Sequence, residues 1–75
     1  MDLHAELNYI RDHLENLKRT SRLDSSLNCG IDRRNVTITI DLVIRGVQKK
    51  VACIYPKDTE NISKLVINKI TIIMR

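Results

Sequence analysis

Tryptophan and phenylalanine are absent from these 75 residues, and Tyr9 and Tyr55 are the only aromatic side chains. That scarcity excludes the stacking platforms on which single-strand binders and sheet-based RNA readers depend. Cysteine is as scarce: Cys29 and Cys53 are too few for a disulfide framework. No N-terminal apolar segment is laid out as a signal peptide, so both are expected to be reduced thiols of a cytoplasmic protein. Cys53 lies in an apolar run and reads as a small core residue, whereas Cys29 stands beside Gly30 in a loop-like stretch. Two cysteines and the separated His4 and His13 cannot supply the four paired ligands of a structural zinc, so no metal is expected. No apolar run approaches the ~18 residues of a membrane span, and a soluble protein is expected. Gly30 and Gly46 are the only glycines. There is thus no glycine-rich phosphate loop, and no cofactor is expected. No serine or cysteine comes with a neighbouring histidine and acid, and no enzymatic activity is expected. The acceptor patterns Asn35-Val-Thr37 and Asn61-Ile-Ser63 read as chance matches without a secretory signal.

Length supplies the next bound. A chain of 75 residues is one small domain, 1–75. A fold of this size buries only about 60% of its unfolded surface and gains from a partner.

What is present is unevenly placed charge and clear hydrophobic periodicity. The formal net charge is +4, yet residues 1–17 carry four acids against Arg11, net −3, and residues 18–75 carry twelve Lys or Arg against five acids, net +7. Such asymmetry suits a partner of negative charge or attraction between copies.

From residue 2 to 19, Leu3, Leu7, Ile10, Leu14 and Leu17 recur at steps of four and three with no glycine or proline between them. This is one stripe of an amphipathic helix, with Asp2 as N-cap or first-turn acid and Lys18 and Arg19 at the negative end of its dipole. The same spacing fits a coiled-coil seam in which Glu6 of one chain faces Arg11 of another. The next seam positions are Ser21, Asp24 and Asn28, which end it after two and a half heptads. The stripe is therefore a candidate either for the protein's own core or for a dimer contact.

Residues 20–35 collect Thr, Ser, Asp, Asn and Gly and read as a connector, in which Leu23, Leu27 and Ile31 leave a short helical turn or an edge strand open. The stretch NVTITIDLVIRG then alternates regularly, broken only by Val43. Val36, Ile38, Ile40, Leu42 and Ile44 fall on one face, Thr37, Thr39, Asp41 and Arg45 on the other. A second apolar run, Val51 to Tyr55, stops at Pro56. The segment between, Gly46 to Lys50, predicts an antiparallel hairpin over 36–55 with Arg45, Lys49 and Lys50 at its tip.

Residues 59–74 carry two signals. Ile62, Leu65, Val66, Ile70 and Ile73 follow a helical stripe behind Asp58 and Thr59, while Lys-Ile-Thr-Ile-Ile-Met is rich in β-branched residues and suits a strand. The spacing favours a helix, with Lys69 inside its apolar stripe.

The elements assemble into an α+β fold: an N-terminal helix, an antiparallel hairpin with room for a third strand, and a C-terminal helix, the helices covering the sheet's apolar face. Because a two-stranded sheet is marginal by itself, a homodimer pooling strands is expected. The order of elements, with Val36, Ile38, Ile40, Gly46, Lys50, Val51, Ile54, Pro56, Asp58, Leu65 and Val66, is loosely similar to the YbaB/EbfC family of small dimeric nucleoid-associated proteins. That resemblance implies a dimer and contact with DNA. The residues themselves favour a small non-enzymatic regulatory or inhibitory protein that binds another protein. The alternative is a sequence-tolerant nucleic-acid binder using Arg33, Arg34, Arg45, Lys49 and Lys50 on phosphates.

Overall fold

The computed structural model describes residues 2–75 and has the order α1 (Leu3–Ser21), β1 (Asp24–Ile31), β2 (Asn35–Ile44), β3 (Val47–Pro56) and α2 (Ile62–Met74). It is an α+β fold with a three-stranded antiparallel sheet, order β1-β2-β3. The Asp2 carboxylate starts α1 by accepting from the backbone N–H of His4 at 3.0 Å and of Ala5 at 3.4 Å. Arg22, in the left-handed region at φ 51°, ends it.

The alternation of β2 does what its spacing dictates. Val36, Ile38, Ile40 and Leu42 are buried in the core, and Ile44 is half-buried at its margin. The register places Cys53 beside Ile38 and Val51 beside Ile40, and both are buried on the same face. Above them lie Leu7, Ile10 and Leu14 of α1 and Ile62, Val66 and Ile70 of α2, with Leu3 and Leu17 packed at the rim. The leucine stripe is thus turned onto the protein's own sheet and is its core face.

The two helices run side by side and parallel. Glu6, in the first turn of α1, bonds Ser63 at the start of α2. At the other end, where α1 leads into β1, the ammonium of Lys49 reaches the carbonyl of Ile73 at 3.4 Å. Both helix N-termini therefore lie at one end of the sheet and both C-termini at the other, beside the β2–β3 turn.

Three boundaries differ from the sequence expectations. The connector 20–35 is mostly strand: Leu27 pairs with Ile40 and Cys29 with Ile38, so the long alternating β2 recruits a segment that has little strand propensity of its own. The hairpin turns on two residues, Arg45 and Gly46, and Val47–Lys50 belong to β3. Both turn residues have positive φ, 53° and 79°, as a two-residue turn matched to the twist of the strands requires. The C-terminal element is a helix, but it starts at Ile62 because Asn61 is left-handed at φ 58° and residues 56–59 close a turn. Leu65, expected in its apolar stripe, is 39% exposed. Lys69 is exposed beside that stripe and sits 5.9 Å over the Tyr55 ring, a cation–π contact with its charge in solvent.

Candidate interaction surfaces

The five basic residues singled out by the sequence do not share a face. Arg33 and Arg34 stand in the β1–β2 turn, which Asp32 organises by accepting from the N–H of Arg34 at 2.8 Å and of Asn35 at 2.6 Å. Those two bonds hold the Asp32 carboxyl below its ordinary 3.8. Arg45, Lys49 and Lys50 lie at the opposite end of β2, a ten-residue strand that spans about 33 Å at 3.3 Å per residue. The whole molecule is 37 Å long, so the two groups mark its two ends.

The hairpin end gathers further cations. Arg22 and Arg45 border one groove, and Arg45, Lys49 and Arg75 border another together with Val47, Ile73 and Met74. Both helices end here, so part of this positive charge answers the negative ends of two parallel helix dipoles. Lys49 does so directly through its bond to Ile73. Lys50 projects from the opposite face of the sheet, where Asp41 is its cross-strand neighbour.

The two sheet edges are built differently. β3 carries Lys49 and Lys50 and closes on Pro56, the residues that discourage another strand from adding. β1 reads DSSLNCGI, with Asp24 its only charge and no proline. Seven of its eight residues are exposed and Leu27 is half-buried. Leu27, Cys29 and Ile31 lie on the apolar face of the sheet, opposite Ile40, Ile38 and Val36, yet Cys29 is exposed and Ile31 is 61% exposed. The helices cover β2 and leave the outer part of this row open. The sequence marks the row only by the short alternation Leu27-x-Cys29-x-Ile31 inside a stretch of turn formers.

The outer face of the sheet is polar and uncovered, with Thr37, Thr39 and Asp41 half-exposed along its centre. Ile54, 68% exposed, and Val43, 39% exposed, are large apolar side chains on it.

Among the described residues no cluster of three or more His, Cys, Asp or Glu is placed to hold a metal, and no helix is long and apolar enough to cross a membrane. Among the described residues the buried polar side-chain groups are Ser63 and the Tyr55 hydroxyl. That hydroxyl is buried without a hydrogen-bond partner. Desolvation, with the neighbouring Cys53 thiol adding to it, raises the Tyr55 pKa from 10.0 to about 12. The unfolded chain releases this proton near 10.0 and the folded one near 12, so stability falls as pH rises through that window. Tyr55→Phe is expected to remove that alkaline loss and to leave stability at neutral pH unchanged or up to about 1 kcal/mol higher, because it deletes an unpaired buried group. Urea melts at pH 7 and across the alkaline window check both.

No family model, curated protein or solved structure matches the chain. The similarity to the YbaB/EbfC family therefore carries nothing further.

Proposed function

We propose that the protein is a small non-enzymatic regulatory protein that acts by binding another polypeptide along the free edge of β1. The observation that carries this reading is the contrast between the edges, one guarded by two lysines and a proline and one bare over eight residues. An unguarded strand edge offers alternate N–H and C=O groups to an extended segment, and the open row Leu27, Cys29 and Ile31 adds apolar contact on one face. A photo-crosslinking residue at position 31, compared with one at position 54 on the outer face, tests it in extracts of the native host. Polypeptide adducts from position 31 and not from 54 are expected; equal yields, or none from 31, reject the reading.

A second reading rests on the cations gathered at the hairpin end. Arg22, Arg45 and Arg75 there would contact phosphates of a nucleic acid without regard to sequence. A gel shift at two salt concentrations decides it. Binding that falls steeply with salt and weakens in Arg45→Ala supports this reading, and no shift at low salt ends it.

A further inference from the structure

We infer that the polypeptide seated on β1 is a second copy of this chain, paired antiparallel strand to strand about a two-fold axis at Cys29. The inference rests on the reading of β1 as a binding edge and names its occupant.

Symmetry limits the choices. A two-fold axis perpendicular to the sheet keeps both helix layers on one face and makes one residue of β1 its own neighbour across the axis. An axis lying in the sheet would instead set the apolar row Leu27, Cys29 and Ile31 against the polar row Ser26, Asn28 and Gly30 of the other copy. With the perpendicular axis at Asn28, Ile31 faces Ser25; with the axis at Leu27, Cys29 faces Ser25. Only with the axis at Cys29 do all three apolar side chains of β1 meet apolar partners: Leu27 faces the partner's Ile31, Cys29 faces the partner's Cys29, and Ile31 faces the partner's Leu27.

Charge and shape agree with that register. β1 opens on Asp24, and the turn that follows Ile31 carries Asp32, Arg33 and Arg34, net +1. Antiparallel pairing lays the start of each β1 beside the end of the other, which brings that turn to the partner's Asp24. The groove between α1 and β1, about 360 Å³, lies at Leu27 and is walled by Leu14, with Glu15 and Asp24 among its charged groups alongside Arg11 and Lys18. It is where the partner's Ile31 would enter. The assembly also closes: joining two β1 edges gives a six-stranded sheet whose outer edges are both β3, each guarded by Lys49, Lys50 and Pro56, so pairing stops at two.

Cys29 is the reporter. Directly opposed residues on antiparallel strands have Cα atoms about 4.5–5.5 Å apart, inside the range a disulfide spans. Air oxidation with copper–phenanthroline takes two electrons and two protons from the two thiols and joins the sulfurs. The purified full chain is expected to sediment as a dimer and to give a reducible covalent dimer. Cys53→Ser should do the same, and Cys29→Ser should remain a dimer without the covalent band. Ile31→Lys should sediment as a monomer that still melts cooperatively, since Ile31 is already exposed in the single chain, with a midpoint lowered only by the loss of the partner. A wild-type chain that is monomeric up to submillimolar concentration overturns the inference, as does a dimer that survives Ile31→Lys or fails to crosslink through Cys29. If the wild-type chain is monomeric while position 31 crosslinks to a different protein, the second copy is wrong and the binding edge stands. If position 31 crosslinks to nothing, both fall.

Discussion

Replacing Ile38 by alanine is expected to lower the free energy of unfolding by about 2–5 kcal/mol, the cost of truncating a fully buried aliphatic side chain whose surroundings relax only in part. Ile38 is fully buried, on the central strand, with Cys29 and Cys53 as its neighbours on either side and both helices above. It has nowhere to be replaced from: strands on both flanks are hydrogen-bonded to β2, so the sheet cannot close over the missing carbons without breaking its register. At about 0.05–0.15 kcal/mol per residue, a domain this small has roughly 4–11 kcal/mol in total, and the loss is a large part of it. Ile54→Ala is the control, because the same truncation on the exposed outer face should change stability by no more than about 0.5 kcal/mol. Urea melts of both variants beside the parent settle the comparison. Similar midpoints for the two would contradict the assignment of the sheet's inner and outer faces.

That inner face was legible in the sequence, and the reason is local. Val36, Ile38, Ile40 and Leu42 alternate with polar residues over one strand, so period alone assigns them a face. The leucine stripe of α1 was legible on the same ground, although period alone did not choose between the protein's own sheet and a second helix. β1 is open in the sequence because its identity is borrowed: Asp, Ser, Asn and Gly prefer turns, and only pairing with β2 makes the segment a strand. The sequence points to a connection from Gly46 to Lys50 and not to the Arg45-Gly46 turn, since Gly46 announces a positive φ and an arginine does not. The basic residues illustrate a different limit. Arg33 and Arg34 are separated from Arg45 by one strand in sequence, but a strand is the most extended way to connect two points, and it carries them to opposite ends of the molecule.

The start of α2 is a feature no local pattern contains. Its first residue follows Asn61, which is left-handed and makes no side-chain cap, so the first N–H groups of the helix need an acceptor from elsewhere. Glu6 supplies it from 57 positions away: one carboxylate oxygen accepts from the Ser63 hydroxyl at 3.0 Å and the other from the Ser63 N–H at 3.5 Å. A negative group at this point also meets the positive end of the α2 dipole. Glu6→Ala is expected to destabilise the fold by about 1–3 kcal/mol, because it leaves the buried Ser63 without its partner. Glu6→Gln, which keeps one acceptor oxygen and loses the charge, should fall between the two. Ser63→Ala in the Glu6→Ala background should cost less than it does alone, the non-additivity expected of groups in direct contact. Amide exchange at the start of α2 should accelerate in Glu6→Ala more than exchange in β2. Equal stability of Glu6→Ala and the parent would mean that α2 begins without help from α1, and the parallel pairing of the two helices would then rest on their apolar stripes alone.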